Sequence, residues 1–317
     1  MNVAFGLPPL TLLDNFGLNS KNMTAKNKNQ LTFIDLFAGI GGFHLAFNSA
    51  GAKCVFVSEW DKHARKTYQQ NFSKIDPEIF TNGNFAGDIK KVKEKQIPDF
   101  DILTAGFPCQ PFSHAGYKKG FADPRGTLFD NIARIIKAKK PKAYFLENVS
   151  HLLKHDNGRT FSIIKKTLED DLGYSFFHKI VRASDFNLPQ HRARLFMVGF
   201  KDKSIPFEFP KPVKLTMTMS DVWGDKCDKK IGYTLRVGGR GSGINDRRNW
   251  DSYHVSGKIR KLTSKEGRKM MGLPENFEFP VSEAQAMKQL GNSVAVNAIK
   301  AVAKQITDSL NKYADGK

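Results

Sequence analysis

The segment Thr104-Ala105-Gly106-Phe107-Pro108-Cys109-Gln110-Pro111-Phe112-Ser113 holds one thiol between two prolines. It follows the apolar run Asp101-Ile102-Leu103, so a strand would deliver the chain into a tight turn with Cys109 at its tip. Pro108 fixes its own φ and pushes Phe107 toward an extended conformation. A thiol held that rigidly beside glycine and polar groups suits a nucleophile, whereas a buried structural cysteine suits the same segment equally well. Other residues bear on the choice. Glu147-Asn148-Val149 ends the apolar run Ala143 to Leu146, and in an open α/β sheet the carboxyl ends of the strands face the ligand. Arg192 and Arg194, spaced by two in Gln190-His191-Arg192-Ala193-Arg194, point the same way off an extended chain. Paired guanidinium forks suit a carbonyl oxygen, a phosphate or a carboxylate, and a solvated basic strand is the plainer reading of the same pair.

A second constellation lies upstream. Asp35-Leu36-Phe37-Ala38-Gly39-Ile40-Gly41-Gly42 puts glycines after a strand and before a helix, where free N–H groups and close backbone approach favour a ligand. The dinucleotide fingerprint is not met, because His44 stands at its third glycine position. Glu59 ends the next strand about 20 residues on, where a carboxylate suits a ribose diol. Trp60 suits either an adenine or the core, and Asp88 in Gly87-Asp88-Ile89 suits an exocyclic amine. Together these point to an adenosine-containing small molecule without a pyrophosphate.

These residues need a scaffold of alternating strands and helices. Leu31 to Phe37, Lys53 to Ser58, Asp101 to Ala105, Ala143 to Leu146, Ser175 to Arg182 and Arg194 to Phe200 read as strands. Leu128 to Ile136 and Asn157 to Leu172 read as helices. The alternation predicts an α/β fold with a mainly parallel sheet covered on both faces. Residues 1–30 lack periodicity and read as an N-terminal extension. The texture turns loop-rich after Phe200, with Gly, Arg and Asn crowded between Tyr233 and Lys258, and a helix from Ser293 to Leu310, capped by Asn292 or Ser293, closes the chain. The expected division is an extension at 1–30, a main domain at 31–200 plus 283–317, and a smaller loop-rich domain at 201–282.

The 317 residues carry a formal net charge of +19, which draws in polyanions, nucleic acid before an anionic membrane. No apolar run approaches the ~18 residues needed to cross a membrane, and there is no secretory leader pattern. Three cysteines, Cys54, Cys109 and Cys227, are too few and too scattered for a disulfide framework or a zinc site, and they fit a reducing, cytoplasmic compartment.

In order and spacing, these segments resemble the cytosine-5 DNA methyltransferases of bacterial restriction–modification systems, from about Leu31 to about Ala303. The resemblance also takes in Arg125-Gly126-Thr127-Leu128-Phe129 and Gly291-Asn292-Ser293-Val294. It implies a Rossmann-like S-adenosylmethionine-dependent fold with a target-recognition domain. Cys109 would then be the nucleophile adding to carbon 6 of a flipped-out cytosine. Glu147 would serve ring nitrogen 3, Arg194 would hold the carbonyl oxygen of the base, and Arg192 would support Glu147. S-adenosylmethionine, released as S-adenosylhomocysteine, would lie against Phe37, Ala38, Gly39, Gly41, Gly42, Glu59, Trp60, Asp88, Ile89, Gly106, Pro108, Leu128, Asn292 and Val294, and no metal is expected. Ser113, Lys118 and Lys119, in and beside a closing loop at Ala115 to Asp123, together with Arg236, Arg240, Arg247, Arg248 and Asn249, would meet double-stranded DNA. The expected protein is a bacterial cytoplasmic monomer, with a separate cognate endonuclease as the natural companion. Two other readings are a tRNA methyltransferase of the same family and a catalytically silent DNA-binding regulator. The intact Arg- and Gly-rich segment opposes the first, and the complete Cys109, Glu147, Arg192 and Arg194 set opposes the second.

Overall fold

In the computed structural model the described residues are 30–108 and 128–314. Cys109, Ser113, Lys118, Lys119, the expected closing loop and residues 1–29 lie outside them. Strands β1 (Thr32–Leu36), β2 (Lys53–Ser58), β3 (Phe85–Ala86), β4 (Ile102–Gly106), β5 (Ala143–Val149), β6 (Phe177–Arg182) and β7 (Ala193–Phe200) form one sheet in the order β3-β2-β1-β4-β5-β7-β6. The first five in that order run parallel, and β7 pairs antiparallel with both β5 and β6. That pairing reverses β7, so its beginning lies beside the end of β5, with Arg194 opposite Val149.

Alternation along each strand sends side chains to opposite faces of the sheet. Phe33 and Phe145 join a buried cluster on one face, and Ile34, Leu36, Tyr144 and Leu146 join a cluster on the other. Both faces are apolar because both are covered, which is why these strands read as continuous apolar runs. Helices α1 (Gly42–Ser49) and α2 (Lys62–Phe72) bury Phe43, Phe47, Tyr68 and Phe72 in the first cluster. Helices α3 (Leu128–Lys139) and α4 (Arg159–Lys166) bury Phe129, Ile132, Ile135, Ile136 and Ile164 in the second.

Residues 201–282 hold short elements: α5 (Met219–Trp223), the β8 (Ser252–Val255) and β9 (Lys258–Lys261) hairpin, and α6 (Ser264–Met271). Capping boxes at Thr218 with Asp221 and at Thr263 with Glu266 start the two helices. Their apolar residues, among them Val222, Leu235, Trp250 and Tyr253, belong to the same buried cluster as Phe33 and Phe145. The region is thus built on the sheet's own core. The closing segment contains the helix predicted from Ser293 to Leu310, beginning three residues later, and a helix before it that was not predicted. It forms α7 (Glu283–Asn292) and α8 (Val296–Ala314), and extended Ser293 (φ −75°, ψ 172°) breaks the run between them. The apolar residues Leu290, Val294 and Val296 continue through the break, so hydropathy alone does not mark it.

One buried carboxyl lies under the turn after β1. Asp35 is fully buried, Thr104 directs its hydroxyl at Asp35 Oδ1 (3.1 Å), and Oδ2 has no partner. Burial pushes this carboxyl up to about 8, against the pull of Thr104. The folded protein therefore keeps a proton that the unfolded chain releases near pH 3.8, so this group's contribution to stability falls as pH rises through that window up to about 8. Asp35→Asn is expected to shrink the drop in melting temperature between pH 5 and pH 8. An unchanged drop in thermal unfolding scans would show that Asp35 does not cause it.

Candidate active site

The ends of β1, β2, β4 and β5 open into one cavity of about 840 Å³, within the usual range for a ligand pocket. One end of the cavity is built by the turns after β1, β2 and β3. Phe37 takes a positive φ of 56°, an uncommon conformation for a large residue and a small reservoir of strain. Gly41 (φ 88°) caps α1, and a Cβ there would come within 2.3 Å of the Phe72 ring, so only glycine lets the two helices close. Glu59 is clamped from two sides: Gly39 N–H donates to Oε2 at 2.8 Å and Asp61 N–H donates to Oε1 at 2.7 Å. Burial nonetheless raises the pKa of Glu59. Each oxygen retains a lone pair facing a cavity that suits paired hydroxyls. Trp60 is 79% exposed on the same wall, so its ring face is open and is not spent on the core.

Arg65 and Arg134, which the sequence reading did not single out, hold the Asp88 turn from two directions. The Arg65 guanidinium donates to the carbonyls of Glu59 (3.1 Å), Phe85 (3.1 Å) and Ala86 and lies 4.0 Å over the Phe85 ring. Arg134 donates to the Ile89 and Val92 carbonyls at 2.7 and 2.9 Å. Asp88 caps the short turn through Oδ1, which accepts from Lys90 N–H at 3.0 Å. Phe37, Gly39, Glu59, Trp60, Asp88, Ile89, Gly106, Pro108, Leu128 and Asn292 all line the cavity. Ala38, Gly41, Gly42 and Val294 do not line it and act one layer behind. A Cβ on Gly42 would come within 2.5 Å of Val294, so that pair sets how closely α1 approaches the α7–α8 junction.

The other end holds Glu147, Arg192 and Arg194. Glu147 Oε1 pairs with Arg194 Nε at 3.0 Å, and both side chains are largely buried. Burial raises the Glu147 pKa, while Arg194 and then Arg192 pull it down; the net direction is upward. Water exclusion thus outweighs two cations, and the carboxyl holds its proton to higher pH than an ordinary glutamate. Asn148, also missed from sequence, donates its amide to the Phe107 carbonyl at 2.9 Å and so fixes the strand exit that leads to Pro108. Pro108 lines the cavity and is covalently joined to Cys109.

Arg192 has a different set of partners from the one expected. It donates no hydrogen bond to Glu147 and acts on that carboxyl through charge. Its guanidinium donates to the carbonyls of Leu235 (3.2 Å), Gly291 (3.0 Å) and Ser293, joining β7 to both the glycine-rich segment and the α7–α8 junction. The joint is tight: a Cβ on Gly291 would come within 2.5 Å of the Arg236 backbone. Gln190 reinforces it, accepting from Leu235 N–H at 3.4 Å and donating to the Met270 carbonyl at 2.7 Å. Of the expected DNA-facing residues, Arg236 lines the cavity, whereas Arg240 donates to the Leu262 carbonyl and approaches Asp251. Asn249 is buried, with its amide bonded to the Ile244 and Ser252 carbonyls. Arg247 and Arg248 are exposed. Among the described residues, no group of three or more His, Cys, Asp or Glu side chains is placed to hold a metal ion.

Two measurements test this geometry. Arg192→Met keeps the volume and removes the donors, leaving buried carbonyls unpaired at about 1–3 kcal/mol each. Chemical denaturation should show a loss of about 3 kcal/mol or more; a loss of under ~1 kcal/mol would mean that the joint holds without the guanidinium. Arg194→Gln removes the stronger of the two cations that lower Glu147. Carbon-13 NMR of labelled glutamate should show the Glu147 titration moving to higher pH, and a move to lower pH would refute the balance described.

A family model described as C-5 cytosine-specific DNA methylase matches residues 31–236 and 229–308. The chain is 40% identical over 327 residues to the Type II methyltransferase M.HhaI of Haemophilus parahaemolyticus, covering 90% of this chain and 97% of that one. It is 44% identical over 317 residues to the Type II methyltransferase M.SsoII of Shigella sonnei, covering 88% and 80%. A solved structure of a Spodoptera frugiperda DNMT2 mutant superposes with a TM-score of 0.66 at 18% identity, over 88% of this chain and all of that one, a likeness of fold.

Proposed function

Since the chain belongs to the C-5 cytosine-specific DNA methylase family and is a DNA cytosine-5 methyltransferase, we propose that it methylates one cytosine within a fixed duplex sequence, as the protecting enzyme of a restriction–modification system with a separate endonuclease. The observation that carries this reading is the single cavity that joins the Glu59, Trp60 and Asn292 wall to the Glu147–Arg194 pair beside Pro108. The first wall fits S-adenosylmethionine: a clamped carboxylate for the ribose, an open indole face and Asp88 for the adenine. When bound, that molecule supplies a methyl group on a sulfonium and leaves as S-adenosylhomocysteine.

The chain's own residues do the rest. Carbon 5 of cytosine is a poor nucleophile, and Cys109 overcomes this by covalent catalysis. Its thiolate adds to carbon 6, and the displaced electron pair moves toward ring nitrogen 3 and the carbonyl oxygen. Glu147, whose proton affinity burial raises, gives a proton to nitrogen 3. Arg194 donates to the carbonyl oxygen where negative charge builds. Carbon 5, now enamine-like, takes the methyl group. Loss of the carbon 5 proton to a base then restores the ring double bond and expels the Cys109 thiolate, and the nitrogen 3 proton returns to Glu147. The base must leave the duplex for this, at a cost of a few kcal/mol. Arg192 holds the two walls of the cavity at a fixed spacing. The excess positive charge supports DNA as the partner, and Ser113, Lys118 and Lys119 are placed on its backbone in this reading.

Bisulfite sequencing of duplex DNA treated with the protein and S-adenosylmethionine should reveal cytosine-5 methylation at one recurring sequence, and tRNA should remain unlabelled with a radioactive donor. Cys109→Ser should abolish transfer while DNA binding persists. Glu147→Gln should lower turnover about 10²–10⁴-fold, the range for a lost general acid. DNA carrying 5-fluorocytosine at the target should trap the wild-type protein covalently. Full activity in Cys109→Ser would sink the mechanism.

A further inference from the structure

The expected DNA-reading residues are not equivalent in the structure. Asn249 spends its amide inside the protein, and the partly exposed Arg240 bonds the Leu262 carbonyl and Asp251. Arg248 is the contrasting case, with its side chain 73% exposed. Asp246 grips it along one edge: Arg248 Nε donates to Oδ1 at 3.1 Å and to Oδ2 at 3.3 Å, and one terminal nitrogen donates to Oδ2 at 2.7 Å. Asp246 Oδ1 also accepts from Arg248 N–H at 2.8 Å, so backbone and side chain are fixed by one carboxylate. A guanidinium has two usable edges, a side edge through Nε and an end edge across the two terminal nitrogens. Asp246 occupies the side edge, and the other terminal nitrogen donates to no described residue. The end edge is therefore left free and held in one orientation.

The position of this pair is also fixed. Trp250, two residues on, is buried and donates its indole N–H to the Gly238 carbonyl at 3.0 Å. Gly238 follows Val237, which lines the cavity and is itself 46% exposed. The Arg248 segment is thereby pinned to the strip of chain at the cavity mouth. An exposed ion pair adds little to stability, so fold stability alone gives weak reason for this arrangement. The pair is tight nonetheless: the Arg248 hydrogen bonds hold the Asp246 carboxyl down at about 2, and the same contacts raise the Arg248 pKa. Two parallel N–H donors on a fixed plane match the O6 and N7 acceptors that guanine presents in the major groove.

We propose that Arg248, held by Asp246, is a specificity-determining residue that reads one guanine of the target site end-on. The inference rests on the DNA methyltransferase reading above. The cost of orienting the fork is met before DNA arrives, which distinguishes Arg248 from the exposed and unbraced Arg247.

Bisulfite sequencing of a randomised duplex library, methylated by the wild type and its variants, tests the assignment. The wild type should require guanine at a position beside its cytosine. Arg248→Ala and Arg248→Lys, the latter keeping the charge without the fork, should each relax that one position by roughly ten- to hundredfold while other positions keep their preference. Asp246→Asn should relax the same position partly, and in the Arg248→Ala background it should add nothing. Arg248→Lys provides the readout if Arg248→Ala methylates too little DNA to sequence. Variants that methylate every sequence less but keep the guanine requirement, with a salt slope reduced by about 1, would mark a phosphate contact and overturn the proposal. A position relaxed by Asp246→Asn even without Arg248 would overturn the bracing. A wild-type protein that methylates no DNA would instead overturn the function on which the inference rests.

Discussion

The competition between burial and charge at Glu147 is the constraint on which the rest of the site depends. Two arginines within the same cavity would ordinarily strip a carboxylic acid of its proton at low pH. Here the loss of water outweighs them, and the acid keeps a raised proton affinity. That outcome needs a carboxyl kept from water on most sides. The sheet supplies the apolar floor, β7 brings Arg194 alongside, and the α7–α8 junction with the glycine-rich segment closes the remaining side.

Much of the scaffold was readable from the residues themselves. The strands stood out because both faces of the sheet are covered, which leaves little room for polar residues along Ile34 to Leu36 or Ala143 to Leu146. Glu147 and the arginine pair were legible because their chemistry falls at the ends of such runs. The direction of β7 was not, because an apolar run reads the same for a parallel and an antiparallel strand. The start of the closing helix near Ser293 was legible from its capping residues, whereas the helix Glu283–Asn292 before it was not read. The two short helices of the 201–282 region did carry a signal, a threonine followed three residues later by Asp221 or Glu266, and the surrounding loop texture drew attention away from it.

Arg192 shows a different kind of illegibility. Its acceptors are backbone carbonyls of Leu235, Gly291 and Ser293, more than 40 residues away in the chain. No side-chain pattern could announce them, because a carbonyl is present at every position. A charge pair spaced by two was therefore read as two similar groups, when one faces a carboxylate and the other ties three segments together. The same applies to Arg65, whose acceptors are main-chain oxygens, and to half of those of Arg134, which also bonds the Asn131 and Glu94 side chains.

The contact of Gly291 with the backbone of Arg236 and Val237 has a consequence of another kind. Main chain rests on main chain there, with no room for a side chain on the Gly291 side. The seam is consequently blind to which amino acids occupy 236 and 237 on the opposite strip. A change of side chain at 236 or 237 therefore leaves this packing contact as it is, whereas a side chain at 291 would push the two strips apart.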